Sequence, residues 1–140
     1  MTKEIVVDIS VVTGWCFAEA AGVYVDAALE EVARHGGLVP LCLMIEAANI
    51  VLAAERRMRL TEADSTRFLT LFQALPIRVD SVSTSTSRFF GAVLGLARRY
   101  GLNGSEAASL DLALREGARL ASLNQRLRQA AQSCHVILFS

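Results

Sequence analysis

Short runs of branched apolar residues alternate along this chain with longer stretches in which apolar positions recur every three to four residues. Lys3–Asp8, Leu38–Val39, Ile77–Asp80, Arg119–Leu123 and His135–Phe139 have the length and Val/Ile/Leu content of strands. Helical spacing marks Trp15–Ala20, Tyr24–His35, Leu41–Arg59, a segment running from Thr61 to Leu75, Arg88–Tyr100, Ser105–Gly117 and Gln125–Gln132. The punctuation agrees with these limits. Gly36-Gly37 closes one helix, Pro40 ends a strand, and Thr61 with Asp64 forms a capping-box variant. A Ser/Thr-rich loop fills 81–87. Continuous apolar strands separated by helices predict a mostly parallel sheet covered on both faces, a three-layer α/β/α sandwich. Nothing reads as a linker or repeat, so residues 1–140 are expected to form one domain.

Composition adds one point. With 53% apolar residues and a mean hydropathy of +0.39, the chain has more apolar surface than one small core absorbs, which suggests self-association or a partner surface. It is not read as a membrane span, because the longest apolar stretch, Leu38–Ala54, is interrupted by Pro40, Glu46 and Asn49. The N-terminal residues read as leading directly into a strand, so no secretory signal is expected. Cys16, Cys42 and Cys134 lack metal-ligand spacing and read as buried reduced thiols of a cytoplasmic protein. The net charge is zero, which argues against indiscriminate coating of nucleic acid. The bases are concentrated from Arg56 onward, where there are twelve against six acids, and all of those twelve are arginines.

In an open parallel sheet, ligands bind beyond the carboxyl ends of the strands. Asp8 ends the first strand, Asn124 follows the fourth, Glu106 opens a helix feeding the same edge, and Glu46 lies near the start of the long helix. Glu46 interrupts an apolar run, with Asn49 about one turn on along the same face. A lone buried carboxylate is costly, and a divalent cation shared with Asp8 would compensate it; the bland alternative is a solvated helix stripe. Asp8 also fits a helix or turn cap, with Ser10 placed to hold its carboxylate. Glu106 also fits the third position of a capping box opened by Asn103. Asp26, Asp64, Asp80, Asp111 and Glu116 read as surface or capping acids. His35 and His135 are isolated, and Trp15 and Phe17 suit a core or interface better than base stacking. There is no Gly-rich phosphate loop, Walker sequence or Ser-His-Asp arrangement.

Several segments, in order, resemble one family. Val6-Val7-Asp8-Ile9-Ser10-Val11-Val12 followed by Trp15 is similar to the opening of PIN domains, VapC-type toxins in particular. Val39-Pro40 and Ile45-Glu46-Ala47-Ala48-Asn49 resemble their second motif. Ala97–Leu102 followed by Glu106–Ala113 resembles the third, and Leu120-Ala121-Ser122-Leu123-Asn124 with Leu127 and Ala130-Ala131 the fourth. The resemblance implies a metal-dependent endoribonuclease holding Mg²⁺ or Mn²⁺ on Asp8, Glu46 and Glu106. Asn124 would orient water or the metal's outer shell, with Ser10, Asn49 and Ser122 as supporting polar groups. It further implies an RNA substrate, a VapB-like antitoxin and a homodimer. Three positions depart from the family pattern. Ser105-Glu106 stands where Tyr-Asp is usual, Ser109 where Tyr is common, and Asn124 where Asp is usual. The longer Glu106 must be accommodated at the ~2.1 Å contacts that Mg²⁺ demands, and Asn124 removes a charge. These departures motivate a second expectation, a catalytically weakened PIN-like domain that binds RNA or protein. A receiver-type phosphorylation site at Asp8 would need an adjacent acid pair and a strand-end Lys, which are missing.

Overall fold

The computed structural model of this chain describes residues 2–17 and 22–140. Four strands, β1 (Ile5–Val7), β2 (Gly37–Pro40), β3 (Ile77–Asp80) and β4 (Arg119–Ala121), form one sheet in the order β3-β2-β1-β4. Every pairing is parallel, with Val6 opposite both Leu38 and Leu120. The strands are joined by α1 (Ile9–Cys16), α2 (Val23–His35), α3 (Leu41–Arg56), α4 (Glu62–Ala74), α5 (Thr86–Arg88), α6 (Leu94–Tyr100) and α7 (Gly104–Glu116). Helix α8 (Gln125–Ser133) follows β4.

Strand periodicity sorts the core into two halves. Val6, Leu38 and Leu120 point into one cluster with Ala107, Leu110, Leu127 and Ala131 of α7 and α8. Ile5, Val7, Val39 and Ala121 point into the other with Val11, Ala28, Leu43 and Phe72 of α1–α4. The α/β/α sandwich expected from the sequence is therefore observed. The chain moves from β1 to β2 to β3 through helices on one face, then crosses to β4 through helices on the other. The strand order reverses beside β1, and that is where helices α1 and α8 part and leave a crevice.

Several expected elements differ. The helix expected over Trp15–Ala20 starts instead at Ile9, because the Asp8 carboxylate caps the amides of Ser10 and Val11; residues 18–20 of that expectation lie outside the described residues. The long third helix ends at Arg56, and Met58 adopts a left-handed φ of 59°. The strand expected over His135–Phe139 is reduced to one parallel bridge between Leu120 and Leu138, and His135 leaves the extended conformation with a φ of 61°. The helix expected over Arg88–Tyr100 is present but contains a wider π-helical turn at Phe89–Val93. Immediately after it, Gly104 opens α7 against the Phe89 ring, where a Cβ would sit 3.0 Å from the ring edge. A side chain at residue 104 would need the Phe89 ring to give way by a few tenths of an ångström, beside the turn that carries Asn103 and Glu106.

Candidate active site

Asp8 sits where β1 becomes α1. Its amide still belongs to the sheet, donating to the Ala121 carbonyl at 3.2 Å. Its side chain is 3% exposed and is held from two directions. Oδ1 accepts from the Ser10 amide at 3.1 Å, the Ser10 hydroxyl, and the Val11 amide at 3.4 Å. Oδ2 accepts from the Ser122 hydroxyl at 2.7 Å. The two serines then bind the loop after β4: the Leu123 amide donates to Ser10 Oγ at 2.9 Å and the Asn124 amide to Ser122 Oγ at 3.0 Å. Burial pushes the Asp8 carboxyl above its ordinary value, although all of these hydrogen bonds favour the charged form.

Glu46 lies in the second turn of α3 and is partly buried. Burial raises its pKa, the Ser105 hydroxyl lowers it by donating a hydrogen bond, and the charges of Asp8 and Glu106 raise it further. Glu46 is therefore neither freely hydrated nor remote from the other acids. Glu106 closes the capping box at the start of α7. Its Oε1 accepts from the Asn103 amide at 2.8 Å while Asn103 Oδ1 accepts from the Glu106 amide at 2.8 Å. The capping-box reading of Glu106 is observed, and its second carboxylate oxygen, Oε2, accepts from the Asn124 side-chain amide at the rim.

Asn124 differs from the sequence expectation of a water-orienting group. Its Oδ1 caps α8 by accepting from the Leu127 amide at 3.1 Å, which directs its NH₂ to Glu106. Both functional atoms are engaged in holding protein. Where a carboxylate at this position would repel Glu106, the amide attracts it.

Asp8, Ile9, Ser10, Glu46, Asn103, Ser105, Glu106, Ser109 and Asn124 line one cleft of about 50 Å³, room for a few water molecules. It opens at the strand-order reversal, and among the described residues no Lys, Arg or His lines it. Three carboxylates with no sulfur, imidazole or basic side chain among the lining residues fit a hard divalent cation better than a soft one. Asp8 Oδ2 and both Glu106 oxygens each accept one hydrogen bond from the protein, so lone pairs remain on both acids. The acids line the cleft without closing into a ready-made cage. Among the described residues, no three carboxylate, histidine or cysteine groups are gathered tightly enough to hold an ion.

The raised pKa of Glu46 carries a stability prediction. Its folded value lies above its unfolded one, so the associated stability is full below the unfolded value of about 4.3 and is lost as pH rises through the folded value. In EDTA, Glu46→Gln is expected to raise Tm by about 1–3 °C at pH 8 and to give no gain at pH 4. Thermal unfolding at the two pH values measures the difference, and a lower Tm for the variant at pH 8 would contradict it.

Other expected site residues fall differently. Asn49 is exposed on α3 and does not line the cleft, lying one turn further along the helix than Glu46. Ser10 and Ser122 are the hydroxyls that hold Asp8. Asp111, read as a surface or capping acid, is 2% exposed and bound by two arginines. Trp15 is structural, its indole N–H donating to the Val25 carbonyl at 3.0 Å. No disulfide joins Cys16, Cys42 and Cys134, which are partly buried. Sequence reasoning gave Ser105 no role beyond departing from a motif, and it overlooked Tyr24. The available signal for Ser105 was its place beside Glu106 at the start of α7; Tyr24 carried none.

No family model matches the chain, and no curated protein matches it. Among solved structures, the crystal structure of PAE2754 from Pyrobaculum aerophilum is similar to it with a TM-score of 0.65 and 20% sequence identity, over 91% of this chain and 78% of that one. The likeness concerns the fold.

Proposed function

We propose that this chain is a metal-dependent endoribonuclease of the PIN-domain, VapC-like kind, with Asp8, Glu46 and Glu106 as its acidic site. The observation that carries this reading is the meeting of those three carboxylates in one cleft that no basic side chain lines, at the strand-order reversal of a parallel sheet. Asp8, Glu46 and Glu106 would hold Mg²⁺ or Mn²⁺, which when bound supplies an acidified water and neutralises charge on a scissile phosphate. Ser10 and Ser122 fix the orientation of Asp8, and Ser105 lines the cleft beside Glu46. Asn124 holds Glu106 in place of orienting water. The cleft opens on the rim of the sheet, which suits a single-stranded or looped RNA whose backbone is accessible.

The proposed partners are a VapB-like antitoxin and a second copy of the chain, in the cytoplasm. Leu41, Met44, Ile45 and Leu52 form an exposed apolar stripe along α3 beside Glu46, with Ile45 63% exposed, and this supports a covered face. Among the described residues no helix is long and apolar enough to cross a membrane.

The Asn124–Glu106 hydrogen bond supports a second reading, a PIN-like domain with a weakened site that binds RNA or protein. Cleavage of labelled structured RNA by partner-free protein, in Mn²⁺ and in EDTA, separates the two. The enzyme reading expects Mn²⁺-dependent cleavage that falls about tenfold in Asn124→Asp as Glu106 loses its clamp. The binding reading expects no cleavage by the native chain, and a gain of Mn²⁺ affinity once residue 124 carries a fourth charge.

A further inference from the structure

We infer that Tyr24 and Arg128 are positioning residues for the acidic cleft, acting on Asp8 through Ser122. The inference rests on the reading of that cleft as the reactive site. Neither residue lines the cleft. Between them they hold both backbone groups of the residue that does reach Asp8. The Ser122 amide donates to the Tyr24 hydroxyl at 3.2 Å, and the Ser122 carbonyl accepts from Arg128 Nη1 at 2.8 Å. The Ser122 side chain, fixed in this way, donates to Asp8 Oδ2 at 2.7 Å and accepts from the Asn124 amide at 3.0 Å. Every polar group of Ser122 is thereby engaged.

The geometry requires a phenol at residue 24. Tyr24 stands in the first turn of α2, and its hydroxyl donates to the Phe139 carbonyl at 2.9 Å while accepting from Ser122 and, at 3.3 Å, from Arg128. One oxygen thus ties α2, the loop after β4, α8 and the C-terminal segment together. That segment is joined to the sheet by a single bridge, so the sheet alone does little to anchor it. The ring has separate packing work: it lies 5.8 Å from the Phe139 ring at 57°, with the Arg128 guanidinium 5.6 Å from its centroid. Phenylalanine would keep the ring and remove the oxygen.

Ser122 and Asp8 end different strands, and the direction of the Ser122 O–H depends on both its rotamer and the orientation of the peptides around it. Loss of the Tyr24 hydroxyl leaves the Ser122 amide and the Phe139 carbonyl without their partner. The loop carrying Ser122 and Asn124 then gains freedom, and those two side chains hold Asp8 and Glu106 respectively. A displacement that small affects a cation site, since hard divalent ions demand near-ideal oxygen placement.

The test compares native protein with Tyr24→Phe and Arg128→Gln, using Tyr100→Phe on α6 as a control tyrosine that makes none of these hydrogen bonds. Amide hydrogen exchange is read at Ser122 and Asn124, and at Ser10 and Val11, which Asp8 caps. Mn²⁺ affinity is read by electron paramagnetic resonance, and RNA cleavage is resolved into kcat and KM. Tyr24→Phe and Arg128→Gln are expected to speed exchange at all four amides, weaken Mn²⁺ binding about tenfold and lower kcat with KM for RNA unchanged, while Tyr100→Phe changes none of these. Faster exchange confined to Ser122, with Ser10, Val11 and Mn²⁺ affinity as in the native chain, would overturn the inference. If native protein binds no Mn²⁺, the metal-site reading fails, and exchange at Ser10 and Val11 alone decides whether Tyr24 positions Asp8.

Discussion

Asp111→Ala is expected to destabilise the protein by about 3–5 kcal/mol, the usual consequence of removing one partner from a buried ion pair. Asp111 Oδ2 accepts from Arg88 Nε at 2.8 Å, Ser83 Oγ at 2.8 Å and Arg115 Nε at 3.1 Å, and Oδ1 accepts from Arg88 Nη2 at 2.7 Å. Arg115 also donates to Asp80 at 2.7 Å, so the network binds the end of β3 and the loop after it to α5 and α7. Removing the carboxylate leaves Arg115, with 19% of its side chain exposed, sharing one remaining acid, and leaves the fully buried Ser83 without an acceptor. Against a typical stability of 5–15 kcal/mol that loss is a large fraction. Urea denaturation followed by circular dichroism gives the value. Arg78→Ala is the control: that side chain is 58% exposed in its pairs with Glu4 and Glu116, and it should cost under about 1 kcal/mol. Similar losses for both variants would show that the buried network has no special weight.

Asp111 also sets an acid limit. Burial raises its pKa, but hydrogen bonds from Arg88, Ser83 and Arg115 outweigh that and leave it below the ordinary value. Its contribution is therefore full above the unfolded value of about 3.9 and is lost as pH falls through the depressed folded value. Asp8 and Glu46, whose values are raised, have the opposite dependence. The fold is held by one acidic cluster that favours ionisation, and it carries another that resists it.

Asp8→Asn is expected to lower Mn²⁺-dependent RNA cleavage by well over the ~10–100-fold typical of losing a supporting group around a metal, with the fold intact. The asparagine oxygen can still cap α1 from Ser10 and Val11, and the Ser122 hydroxyl can rotate to accept from the new NH₂ group. The buried charge disappears, so Tm should hold or rise. Single-turnover cleavage alongside thermal unfolding provides the comparison. Undiminished cleavage by a folded Asp8→Asn protein would remove Asp8 from the proposed mechanism.

Most of the helices were legible because their signals are local. Thr61 with Asp64 and Asn103 with Glu106 form capping boxes as their spacing requires, and Gly36 stops α2 with a φ of 94°. Asp8 was legible as a position and only partly as a role. Its capping of α1 depends on neighbours two and three residues away, whereas its second clasp, Ser122, comes from 114 residues further on. The His135–Phe139 segment has strand composition, yet it begins on a left-handed His135 and meets β4 at one bridge, which its composition does not signal.

The order of apolar and polar residues thus determined the layers: which runs become buried parallel strands, where helices start and stop, and which acids reach the carboxyl-end rim. These follow from periodicity and capping, which act over a few residues. Tertiary structure decided the partners. Asp111 is an ordinary helix acid until folding surrounds it with Arg88 and Ser83 from other elements, and Asn124 shows its use only when its amide meets Glu106. Charge and hydrogen bonding act through space, so the state of a buried polar group depends on elements far from it in the chain.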